Sequence, residues 1–168
     1  MSARDWDAST YERVSDPQVQ MAVRVLDHER LFARLYAALR PGAPLVGQCG
    51  GEGNIERFHA LADAVAAEPP FAEHFAGFGG AWNFASAETT ADRLAAAGFE
   101  EVETWLEDWP VVPPDPRDYM RTVCLGCHLE RLPGALRDAY LDAVVERAGP
   151  QPELHYVRLN IVARRAPD

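Results

Sequence analysis

The densest group of reactive side chains is Cys124-Leu125-Gly126-Cys127-His128. Its C-x-x-C-H spacing is that of covalent haem attachment, in which two thiols anchor a porphyrin. Attachment of that kind needs export, and the opening MSARDWDAST is polar, without the apolar core of a signal peptide, so haem is not expected. Together with Cys49 these residues offer the ligand types of a zinc site, but no second C-x-x-C pair exists to complete one. No metal is therefore expected. Cys49, Cys124 and Cys127 read as small buried thiols in a reducing compartment, and His128 as a surface residue. The other histidines, His28, His59, His74 and His155, show no HxxxH or HExxH spacing. His128, beside Glu130 and Arg131 in a stretch that reads as a helix-breaking loop, is the best single candidate for acid-base work. A solvated loop histidine is the favoured reading of it.

A second candidate is the glycine-rich run from Gly47 to Asn54, GQCGGEGN, placed after an apolar stretch and before a helical pattern, where phosphate loops occur. Counted from Gly51, the dinucleotide fingerprint finds glycine at its third place, Gly53, but Glu56 at its sixth. Glu52 would repel a phosphate. The run is expected to be a flexible turn at the carboxyl end of a strand, a position at which α/β proteins bind ligands. All 16 basic residues are arginine, which excludes lysine Schiff-base chemistry. No G-x-S-x-G elbow or paired-carboxylate motif is present. Trp6, Tyr11, Trp82, Phe84, Trp105 and Trp109 read as core or lid aromatics.

The elements that must position these groups follow from local signals. Asp16-Pro17 starts a helix, Asp27 could start another, and Leu31, Leu35 and Leu39 line one stripe up to the stop at Pro41-Gly42. Residues 17–40 are compatible with one helix or two. Residues 44–49 form a short apolar strand, and Asn54 is expected to cap a helix running to about Ala67. Residues 71–85 are aromatic and glycine-rich, expected to be irregular and packed by their rings. Ser86 starts a helix that Gly98 ends. Residues 101–112 alternate as a strand, Asp115-Pro116 caps a helix over 116–126, and Pro133-Gly134 opens one to Arg147. The last strand is expected at 154–164, with His155, Val157, Leu159, Ile161 and Ala163 on one face.

At 168 residues the chain supports one domain, 1–168, with 48% hydrophobic and 25% charged residues in the range of ordinary globular proteins. The net charge of −10 makes nucleic acid and anionic membrane poor partners, and no apolar run reaches spanning length. A cytoplasmic protein is expected.

Four stretches carry a resemblance. WDASTYERVSDPQ (6–18) is similar to the N-terminal lid of class I S-adenosylmethionine-dependent methyltransferases of the trans-aconitate methyltransferase type. DHERLFARLYAALRPGAPLVGQCGGEGN (27–54) resembles their fourth helix, fifth strand and following loop. ETTADRLAAAGFEEVETW (88–105) resembles the next helix and sixth strand, and ELHYVRLNIVARR (153–165) the seventh, antiparallel strand. The resemblance implies an α/β fold tending to α+β: a truncated Rossmann-like fold whose three-stranded mixed sheet has its last strand antiparallel between the other two. Residues 1–26 would be lid-like and 27–168 the C-terminal half. Leu26 runs directly into Asp27, where the family has several strand-helix units, each of roughly 30 residues. The motifs that hold S-adenosylmethionine therefore match no position here, and the cofactor is implied by resemblance alone. The implied activity is methyl transfer to a small molecule, a carboxylate among the options; the alternative is a catalytically silent remnant that binds a ligand or partner. A substrate pocket would lie among Trp6, Tyr11, Gln18, Gln48, Asn54, His128 and Arg131. The unpaired edge at 44–49, or the 17–40 helices, would make the protein a homo-oligomer.

Overall fold

The computed structural model describes residues 28–80 and 82–167. Trp6, Tyr11, Gln18 and the expected helix start at Asp16-Pro17 lie outside the described residues. Helix α1 (His28–Ala38) buries Phe32 and stops before Pro41-Gly42. Gly42 takes φ +72°, a left-handed turn that glycine adopts without strain, and its N–H donates to the Arg165 carbonyl at 3.0 Å. That turn delivers the chain into β1 (Pro44–Gly50). Helix α2 (Glu56–Ala66) follows, then a short 3₁₀ turn (Ala72–His74) in an otherwise irregular aromatic stretch. Helix α3 (Ala87–Ala96) starts as expected at Ser86, whose hydroxyl accepts the Thr89 N–H at 3.1 Å. Strand β2 (Phe99–Val111) leads to α4 (Pro116–Tyr119), where Asp115 accepts the Asp118 N–H at 3.0 Å. The expected single helix over 116–126 instead passes through a π turn (Met120–Cys124) into α5 (Gly126–Arg131). Helix α6 (Gly134–Ala148) and β3 (Leu154–Arg165) complete the chain.

The three strands form one sheet in the order β1-β3-β2, so the last strand is central, as expected. Both ladders are antiparallel, and the sheet is not mixed. The physical reason is that β1 and β2 run the same way but never touch, because β3 separates them. A bulge between Glu100 and Glu103, with Glu101 at φ +49°, shifts the β2 register. It puts two residues instead of one between Phe99 and Val102, so that both pack on the core side of the sheet.

Each face of the sheet carries its own core. On one, Leu45, Phe99, Val102, Leu159, Ile161 and Ala163 pack against α1 and α3. On the other, Leu154 and Tyr156 of β3 pack against residues of α2, α4, the π turn, α5 and α6. Strand β3 therefore departs from the expected single alternation. Its second half buries odd-numbered residues on one face and its first half buries even-numbered ones on the other, while His155 is exposed. Among the described residues no helix is long and apolar enough to cross a membrane.

Candidate functional site

On the sheet face opposite α1 and α3, cross-strand partners line up in rows. Gln48, Asn160 and Trp105 make one row, Gly50, Arg158 and Glu107 the next, and Tyr156 and Trp109 a third. The polar members are joined. Gln48 Nε2 donates to Asn160 Oδ1 at 2.8 Å, and Asn160 Nδ2 donates to Glu107 Oε2 at 3.2 Å. Arg158 Nε donates to Gln48 Oε1 at 3.2 Å. Asn160 is buried at the centre, so its amide fixes both Gln48 and Glu107 in place. Arg158 and Glu107 are direct register partners of opposite charge, yet they make no ion pair with each other within 4.0 Å.

Aromatic rings rim this polar floor. A Cβ added at Gly50 would lie 2.6 Å from a ring carbon of Phe84 and 3.0 Å from Asn54 Nδ2, so glycine is required for Phe84 to lie over the strand. Phe84 in turn runs parallel to His59 and Trp82, with centroids 6.0 and 5.9 Å away. At the far end the Tyr119 hydroxyl donates to that of Tyr156 at 3.0 Å. Burial, reinforced by Tyr119 and Cys124, raises the Tyr156 phenol well above its ordinary range. Trp105 and Trp109 stand 46% and 57% exposed on the open side.

The glycine-rich run is tethered rather than flexible. Gly51 N–H donates to Val157 O at 3.0 Å, Glu52 N–H to Ala85 O at 3.0 Å, and Ile55 N–H to His155 O at 2.8 Å. Those donors are spent inside the protein and cannot cradle a phosphate. A Cβ at Gly51 would meet Leu106 at 2.4 Å, so this glycine too serves close packing. Asn54 does not cap α2. Its Oδ1 accepts the Val157 N–H at 2.9 Å, and Ile55, in the left-handed region at φ +43°, precedes the helix without a side-chain cap. The β3 amide outcompetes the helix end for this oxygen because Asn54 is buried against that strand.

His128 is corrected from solvated loop to buried helix. The π turn carries the chain into α5, and only 2% of His128 is exposed. Its ring sits among Phe75, Phe78 and Tyr140, with Nε2 3.3 Å from Asp63 Oδ1. Burial holds its pKa below the ordinary 6.5, with Asp63 opposing. Arg131, on the same helix, stacks its guanidinium 5.0 Å from the Phe78 centroid and donates from Nε to His74 O at 3.3 Å. Of the expected site residues, Gln48 and Asn54 thus meet β3, while His128 and Arg131 meet across Phe78. The two pairs have separate partners. Of the thiols, Cys124 is buried and pushed up to about 11 by burial, Cys127 is half-buried, and Cys49 is exposed, contrary to the expected buried thiol, because it lies on an edge strand, one residue from its end.

Arg158, Glu107 and Asn160 were not legible as site residues. Their signal is the pairing of a Tyr-x-Arg-x-Asn strand with a Trp-x-Glu-x-Trp strand, which appears only when the two are set side by side. A cavity of about 200 Å³ lies beneath α1, between Leu31, Leu35 and Leu45, and one of about 370 Å³ lies between α1 and α3. Neither is lined by Arg158 or Glu107.

The fold and site define an α/β-type domain whose three-stranded antiparallel sheet presents a polar, aromatic-rimmed surface on one face. Compared with models of protein families and with curated proteins, the sequence matches none.

Proposed function

We propose that the chain is the acceptor-side half of a class I methyltransferase-like fold, working as a small-molecule-binding, self-associating module that does not transfer methyl groups. The observation that carries the reading is the sheet order β1-β3-β2, with the last strand reversed between the first two. That is the arrangement the resemblance implies for a fifth, seventh and sixth strand. The silent reading is supported by the chemistry of the glycine-rich loop, whose N–H groups at Gly51, Glu52 and Ile55 are taken by carbonyls of the protein itself. The ligand surface in this reading is the floor of Gln48, Asn160, Arg158 and Glu107, where the network orients hydrogen-bonding groups between rings.

Self-association rests on β1. Among the described residues this strand pairs on one side only, and Val46 on it is 74% exposed, leaving an uncharged edge open to a second copy. Calorimetric titration with S-adenosylmethionine and S-adenosylhomocysteine should give no heat. Micromolar binding accompanied by methyl transfer to any small acceptor would overturn the silent reading. Light scattering at tens of micromolar should report a dimer or larger, and a strictly monomeric profile counts against the β1 interface.

A further inference from the structure

We propose that the Arg158–Glu107 row, with Trp105 and Trp109 on either side, binds a zwitterionic α-amino acid with an apolar side chain. The proposal rests on the ligand-binding reading above and names the class of ligand. Opposite charges placed directly across an antiparallel ladder ordinarily close on each other. Here each is held by a neutral amide instead: Gln48 takes Arg158 Nε, and the buried Asn160 takes Glu107 Oε2. The two terminal nitrogens of Arg158 and the second oxygen of Glu107 make no hydrogen bond with the described residues. A fixed cation and a fixed anion, side by side and unbridged, complement a ligand that carries one charge of each sign a short distance apart.

The α-carboxylate matches the planar fork of the Arg158 guanidinium. The α-ammonium matches Glu107 and gains from the face of a neighbouring indole. An apolar side chain then lies along Trp105 or Trp109, whose exposed rings stand one strand repeat to either side of Glu107. A simple anion would meet Glu107, and a simple cation Arg158, so each loses where the zwitterion gains. A saccharide would use the amides and the indoles but would leave both charges unanswered.

The test uses the full chain and L-phenylalanine, followed through the indole N–H signals of the four tryptophans by NMR. Phenethylamine, 3-phenylpropionate and cellobiose serve as the ammonium-only, carboxylate-only and saccharide probes. Saturable shifts at Trp105 and Trp109 with L-phenylalanine are expected, with either single-charge probe binding about tenfold more weakly, the cost of one charged contact. Arg158→Gln and Glu107→Gln should each weaken L-phenylalanine about tenfold, with the fold checked by circular dichroism. Trp105→Phe, which keeps a ring, should retain binding. Equal binding of the single-charge probes, a response to cellobiose alone, no response to L-phenylalanine, or unchanged affinity in Arg158→Gln would overturn the proposal. S-adenosylmethionine carries a bulky, cationic sulfonium group in place of an apolar side chain, so it is not expected to bind the row. Micromolar binding of it that L-phenylalanine does not displace and Arg158→Gln does not abolish would sink the silent-module reading without touching the L-phenylalanine result.

Discussion

The two faces of the sheet solve the same burial problem in different ways. The core under α1 and α3 is apolar: Phe32, Leu94, Phe99, Leu159, Ile161 and Ala163 are its buried members, none of them titrates, and a cavity of about 200 Å³ remains beneath α1. The core under α2 and α4–α6 is larger and stitched by polar atoms. Tyr140 donates to Ala62 O at 2.9 Å, His128 pairs with Asp63, and Tyr119, Tyr156 and Cys124 form a chain of contacts. The difference teaches that the buried members of one face are held by shape, with directed bonds such as Thr104 to Ala87 O and Arg165 to Tyr36 O around them, so that it yields where packing is loose. The other is held by directed bonds, which position residues sharply and make it sensitive to protonation.

The largest expected effect that would break this contrast comes from cutting into each core. Leu141→Ala, at a fully buried position among α6 neighbours, should cost about 3–5 kcal/mol, and Leu35→Ala, half-buried beside the cavity, about 1–2 kcal/mol. Equal losses in urea unfolding would erase the distinction. Next comes the loop that joins the faces. Gly51→Ala should destabilise by about 2 kcal/mol, because the new methyl meets Leu106 and Leu159, whereas Gly47→Ala, with nothing within 4 Å, should change stability by under about 0.5 kcal/mol. Asn54→Ala should cost about 1–2 kcal/mol by leaving the Val157 N–H without its acceptor, a loss readable as faster amide exchange at Val157.

The smallest effect is one of pH, and it sharpens the comparison most directly. His128 has its folded-state pKa lowered by burial, so the folded protein binds fewer protons than the unfolded chain below the ordinary value near 6.5. Its contribution is fully present above that value and is lost as the pH falls through the lowered one. His59, lowered by burial and by His128, acts in the same sense. The groups facing His128 are Asp63 and His59 on α2 and Tyr140 on α6; Asp63 alone favours the charged form. Urea midpoints measured between about pH 7 and pH 5 should fall for the native chain and fall less for His128→Gln. An identical slope in both proteins would remove the titratable character of this core.

Much of the secondary structure was legible. Ser86 and Asp115 cap the helices they were expected to cap, and Pro41-Gly42 stops α1, because each signal acts on backbone atoms within four residues. Asn54 misled for a related reason. Its side chain is a good helix cap by local rules, but a β3 amide 103 residues away claims it. His128 misled because a π turn carries the chain into a further helix, where the stretch after 126 reads as a helix-breaking loop. Gln48 was placed at a candidate site from the loop that follows it, but its partners were out of sight.

What the sequence by itself determined is therefore the set of elements, their order and most of their ends, together with the acidic, lysine-free surface. Propensity, capping and hydrophobic period are short-range, and a single chain displays them directly. Which residues meet was decided by the tertiary structure. Gln48 reaches Asn160 across 112 residues, and Asn160 reaches Glu107 across 53. Only the antiparallel insertion of β3 between β1 and β2 brings them into one row, because strand register fixes neighbours that no local pattern encodes.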